Sequence, residues 1–162
     1  MKKILLSVIT AALVCGLCGC GSSSGSSSGT STSSASQSTL SAKEKTEKLL
    51  GAVEFPSMVE VTADKLDIYF GVAEDEVKEY SVYICGSAAM PDEFGIFVAK
   101  DAETAAKIKT AVEKRIESQK KTYSDYKPDE MYKIDDSFVD VNGSTVCYAI
   151  CANNTKAAEI LK

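Results

Sequence analysis

The sequence predicts an α+β domain: a mainly antiparallel four-stranded sheet in a β-β-α-β-β core, one long helix packed on a face, and short flanking helices. Three observations predict it. Two apolar runs, 80–85 and 93–99, flank a segment holding Gly86 and Pro91. The stretch after Asp101 repeats its apolar residues at helical spacing. Further on, Asn142-Gly143 separates two more apolar runs, a strong short-range hairpin signal.

The elements follow in order. Ser41 and Glu44 have capping-box spacing, so a helix runs to about residue 53 with Leu49, Leu50 and Val53 inward. Phe55-Pro56 ends it, and 57–60 reads as a connector. A second short helix spans 62–70, with Leu66, Tyr69 and Phe70 apolar and Gly71 as its stop. The stretch 73–79 carries Glu74, Asp75, Glu76 and Glu79 and reads as a solvated turn or short helix leading into the first strand. Strand 80–85 alternates and is rich in aromatic and β-branched residues. Strand 93–99 is almost continuously apolar, which suits a central position. Asp101 caps the longest helix, about 102–123, whose inward stripe is Ala105, Ile108, Val112, Ile116 and Gln119, extended by Tyr123. The segment 123–128 breaks that helix at Pro128, and 128–132 forms a further helical turn. Strands 138–141 and 144–152 pair through Asn142-Gly143 as a type I′ turn. This sets Val141 opposite Ser144, Val139 opposite Val146 and Phe138 opposite Cys147. A short helix from about Thr155 closes the chain.

The N-terminal part is organised differently. Met1-Lys2-Lys3 is a basic start, and 4–17 is an apolar stretch too short to span a bilayer as a stable helix. It ends in Leu17-Cys18-Gly19-Cys20, with Leu at −3 and Gly at −1 relative to Cys20. Cys18 would have Leu17 at −1 and Cys15 would have Val14, both too large for a processing pocket that accepts small side chains. Residues 1–19 are therefore expected to be a lipoprotein signal peptide, with a diacylglyceryl thioether on Cys20. The multiple acyl chains of such a group anchor stably, at about 0.8 kcal/mol per buried methylene. Segment 20–39 is this Cys plus a Ser/Gly tether with no apolar period, expected to be disordered with a reach of about 25 Å. Segment 40–162 is a single globular domain.

Charge and composition exclude several functions. The chain has net charge −5. Loss of Lys2 and Lys3 with the signal takes 18 basic residues to 16 against 23 acidic ones, a balance of −7. That argues against nucleic acid as a partner, because phosphate-backbone binding needs clustered Lys and Arg. The chain has no His, which excludes Ser-His-Asp and Cys-His nucleophile activation and His-containing zinc sites.

The chain resembles a family of small bacterial surface lipoproteins known as domain of unknown function 4358. Carrying the likeness are Cys20 with its Ser-rich tether, 62–71 with the acidic turn, and Tyr80-Ser81-Val82-Tyr83. They continue with Glu93-Phe94-Gly95-Ile96 to Lys100-Asp101, the helix ending in 115–119, and Tyr123-Ser124-Asp125-Tyr126-Lys127-Pro128. The resemblance covers most of 45–160. It implies an extracytoplasmic lipoprotein of Gram-positive bacteria, on the outer face of the cell membrane. It brings no activity, substrate, cofactor or site residue.

The residues themselves offer three candidate chemistries. Cys85, Cys147 and Cys151 remain after processing; an odd number leaves at least one unpaired or bonded between chains. Cys147 and Cys151 stand too far apart on an extended strand to bridge. Buried free thiols, one disulfide from Cys85 to either of them, and a redox or metal role all stay open. Asp92-Glu93 and Glu74-Asp75-Glu76 supply carboxylates, but a solvated surface is the expectation for both clusters. Tyr123, Tyr126, Lys127, Pro128 and Tyr132 form the best candidate interaction surface, because Tyr and Pro present rigid area at low entropy cost. The alternative is that these tyrosines pin the loop to the sheet. The sequence thus predicts a lipid-anchored binding domain with an envelope protein or cell-wall component as partner and no cofactor. A small envelope enzyme or solute-binding lipoprotein using carboxylate, Lys or Tyr chemistry is the rival expectation.

Overall fold

The computed structural model describes residues 40–162. The expectations for 1–19, Cys20 and the tether fall outside this range.

The described chain is α+β with one antiparallel sheet. Its elements are α1 (Ala42–Ala52), β1 (Met58–Glu60), α2 (Ala63–Phe70), β2 (Val77–Cys85), β3 (Glu93–Ala99), α3 (Ala102–Tyr126), α4 (Met131–Asp135), β4 (Phe138–Asn142), β5 (Thr145–Ile150) and α5 (Asn154–Leu161). Single 3₁₀ turns at Glu74–Glu76 and Pro128–Glu130 precede β2 and α4. The strand order is β1-β2-β3-β5-β4, so β3 is central as its apolar run predicts.

The sheet has five strands, not four. The additional one, β1, was expected to be a connector. Three residues are too few to show a period, and its order comes from β2, whose free edge it covers. Met58, Val59 and Glu60 pair with Cys85, Ile84 and Tyr83. The Val61 amide donates to the Val82 carbonyl and that of Gly86 to Ser57, extending the pairing at both ends.

Alternation along the strands fills two cores. One face carries Val82, Phe97, Val146, Tyr148 and Ile150 beneath Leu66 and Phe70 of α2 and Ile108, Val112 and Ile116 of α3. The other carries Phe94, Ile96, Cys147 and Ala149 beneath Leu49 of α1 and Ala157, Ile160 and Leu161 of α5. The sheet is therefore the middle of three layers. Full burial of one such Leu side chain contributes about 1.5–3 kcal/mol. Leu50, expected inward, is 40% exposed; α1 turns Ala42, Thr46 and Leu49 to the sheet instead, the i, i+4, i+7 stripe.

Local chemistry sets the helix ends. Ser41 and Glu44 form the expected capping box on α1. The Asp101 side chain accepts the Thr104 amide at the start of α3. Gly71 stops α2 in the left-handed region, φ 62°. α3 runs three residues beyond the expected end and stops at Lys127, because Pro128 disfavours the helical conformation in the residue before it.

The β4–β5 hairpin has a register two residues from that expected. Val141 faces Val146, Val139 faces Tyr148 and Phe138 faces Ala149. Asn142 pairs with Thr145, so the turn is Gly143-Ser144, with Gly143 at φ 59° in the first central position. A slip of two leaves every side chain on its expected face. A close approach fixes Gly95, opposite Tyr148 in the register. A Cβ there would lie 2.5 Å from the Tyr148 ring.

Candidate functional site

The end of the sheet where β2 leaves and β3 enters gathers most of the domain's buried polar chemistry. Glu93, the first residue of β3, is 1% exposed beneath α3. Arg115 donates from Nε to Oε1 and Oε2, each at 2.9 Å, and from NH2 to Oε2 at 2.6 Å; Gln119, one turn on, donates to Oε2 at 3.0 Å. Burial pushes the Glu93 carboxyl above its ordinary value, against the pull of Arg115 and Gln119. The Arg115 guanidinium also lies over the Tyr69 and Phe70 rings, 5.1 and 5.0 Å from their centroids. The Tyr148 hydroxyl is buried beside this pair and makes no hydrogen bond among the described residues.

Asp92 serves a separate partner. Lys133 Nζ on α4 donates to Asp92 Oδ2 at 2.7 Å, with both side chains buried. It also lies 2.8 Å from Glu130 Oε2, an ion pair whose angle is not that of a hydrogen bond. The Asn154 side chain donates to the Lys133 carbonyl at 2.8 Å and accepts the Cys151 amide at 3.0 Å, joining α4 to α5. Asp92 and Glu93 are thus adjacent in sequence but each tied into its own ion pair. Glu74, Asp75 and Glu76 lie on the outer surface of the turn before β2.

The predicted interaction residues divide. Tyr123 is 5% exposed and its hydroxyl donates to the Ala88 carbonyl at 3.0 Å, so it pins α3 to the β2–β3 loop. Tyr126 and Tyr132 are 60% and 51% exposed, and Lys127 and Pro128 between them are exposed too. Tyr126 leans edge-on against Tyr123, ring centroids 6.4 Å apart. Tyr126 and Tyr132, the exposed tyrosines on either side of Pro128 in the sequence, are together termed the tyrosine platform; their neighbours Tyr123 and Lys133 are buried.

Among the described residues Cys85, Cys147 and Cys151 are free thiols. β3 lies between β2, which carries Cys85, and β5, which carries Cys147. Two strand spacings, about 9–10 Å, exceed disulfide reach. Burial pushes Cys147 up to about 11 and Cys151 above its ordinary value, so neither is a ready thiolate. Among the described residues no cluster of His, Cys, Asp or Glu could hold a metal ion, and no helix is long and apolar enough to cross a membrane.

A second feature had no counterpart in the sequence reading. An open groove of about 630 Å³ runs between the end of α2 and the outer side of α3. Tyr69, Phe70, Lys107, Lys114, Arg115 and Ser118 line it, and no carboxylate does. For the Glu93 ion pair the available signal was Gln119 in the inward stripe of α3, with Arg115 one turn before it and a carboxylate heading an apolar strand. Their pairing across 22 and 26 positions left no signal.

The family model described as Domain of unknown function (DUF4358) matches residues 51–151. The chain belongs to this family. The DUF4358 match takes in the whole sheet, α2, α3 and α4, and leaves most of α1 and all of α5 outside. Both ion pairs, the tyrosine platform and the groove lie within it; the Asn154 brace does not. No curated protein matches the chain, and no solved structure does.

Proposed function

We propose that the chain is a lipid-anchored extracytoplasmic domain of a Gram-positive cell surface that works by binding an envelope protein or cell-wall component. The supporting observation is the tyrosine platform. Tyr126 and Tyr132 leave half or more of their surface in water, while Tyr123, Lys133 and Asp92 beneath them are buried and bonded. Large amphipathic side chains on a rigid base lose little entropy on binding, which is how recognition surfaces gain affinity.

The course of the chain supports this reading. The described chain begins at Leu40 and Ser41, where the Ala42 amide bonds Glu79. Glu79 pairs with Val98 near the end of β3. Tyr123 and Lys133 bind Ala88 and Asp92, at the opposite end of the same strand. The start of the described chain and the tyrosines therefore lie towards opposite ends of β3. A second reading, a solute-binding lipoprotein, rests on the groove over Arg115.

Two variants test the proposal. Cys20→Ser should move the protein from the membrane fraction to the medium. Tyr126→Ala with Tyr132→Ala should abolish capture of the partner with thermal unfolding unchanged. Retention of Cys20→Ser on the membrane would refute the anchor, and an unchanged interactome would refute the platform.

A further inference from the structure

We infer that the groove between α2 and α3 binds a phosphate group, with Lys107, Lys114 and Arg115 as its ligands. The chain as a whole is acidic, net −5, yet three cations and no carboxylate line this groove. Arg115 is preset. Glu93 takes its Nε and NH2, the Tyr69 and Phe70 rings lie beneath the guanidinium, and the side chain keeps 18% exposure. Among the described residues no hydrogen bond occupies Nη1, the remaining arm of the fork. A guanidinium fixed in this way loses little freedom when it meets an oxyanion.

The lysines stand at the right spacing. Lys107 and Lys114 are seven residues apart, two turns or about 10 Å along one side of α3. Lys114 makes no salt bridge among the described residues. Lys107 pairs with Glu103 at 3.4 Å, but both are well exposed, and solvent screens such pairs to near neutrality. Both lysines are therefore free to close on a ligand held by Arg115, which stands beside Lys114 on the same helix. The volume lies within the range of small-molecule sites. A single carboxylate would leave one cation unused; a phosphate offers three acceptor oxygens to three donors.

This site is separate from the tyrosine platform and stands or falls without it. The test is calorimetric titration of the full chain with pyrophosphate and with glycerol 3-phosphate at matched ionic strength. Alongside it, co-sedimentation compares phosphatidylglycerol vesicles with phosphatidylcholine vesicles. Saturable binding of either soluble phosphate compound, weakened about tenfold by Lys114→Gln and by Lys107→Gln, assigns the site to a phosphate solute; one lost charge-assisted bond is worth that factor. Binding to phosphatidylglycerol vesicles alone, with the same sensitivity, assigns it to a lipid head group. Lys156→Gln, on α5, should change neither. Both lysines are exposed and unfolding curves should be unaltered, so loss of binding would not reflect loss of fold. No saturable binding in any arm, or binding indifferent to both lysine variants, overturns the inference.

Discussion

Glu93 depends on Arg115 more than Arg115 depends on Glu93. The carboxylate is 1% exposed and the guanidinium 18%, so only the arginine can turn toward water if its partner is lost. Arg115→Met should therefore destabilise the domain by about 3–5 kcal/mol, the usual result of stranding a buried charge. Glu93→Gln should cost less. The double variant Glu93→Leu, Arg115→Met should recover most of the loss, because a well-packed apolar pair avoids both desolvation terms. Urea unfolding of the three variants checks this, and a double variant as weak as Arg115→Met would contradict it. In the sequence Glu93 read, with Asp92, as a solvated carboxylate at the start of a strand, and its 1% exposure corrects that. Gln119 was legible as an inward residue. Their meeting was not, because it depends on where α3 lies over β3.

At the scale of the element, α4 is the piece held least by its own backbone. Five residues are far below the length at which a helix stands alone, and its order comes from Lys133. Burial pulls the Lys133 ammonium down, but the carboxylates of Asp92 and Glu130 beside it outweigh burial and hold it above its ordinary value of 10.5. The sign follows. A folded-state value above the unfolded one means that the folded protein holds the proton more tightly. Stability from Lys133 is fully present below about 10.5 and is lost as pH rises through the folded value. The penalty of Lys133→Met, measured by denaturant unfolding, should be at its full size just below pH 10.5 and shrink as pH rises above that value. A penalty constant across that range would show that packing of the Lys stem, and not its charge, holds α4. The elements also show what local sequence can carry. The capping box of α1, the Asp101 cap and the Gly71 stop are decided by residues within one turn, and all were readable. β1 and the hairpin register are decided by partners. β1 exists because β2 has a free edge, and the turn moved one residue because Asn142 pairs with Thr145 and leaves Gly143 the left-handed position.

For the whole molecule, the arrangement matters more than any single site. The antiparallel sheet and long helix were legible, because alternation and helical period survive in a single sequence. The split among the tyrosines was not. Tyr123 and Tyr126 are three residues apart on one helix face, and only the β2–β3 loop decides that one is a pin and the other a surface. The chain enters at one end of β3 and presents Tyr126 and Tyr132 at the other, beyond a helix of 25 residues that spans about 37 Å. A binding domain tied by its N-terminus would carry its recognition surface there. The most direct measurement is photo-crosslinking in intact cells from benzoylphenylalanine placed at Tyr126 or Tyr132, with Lys156 on α5 as the control position. The account predicts a discrete adduct from the tyrosine positions and none from the control. No adduct from either tyrosine, or the same adduct from all three positions, would contradict it.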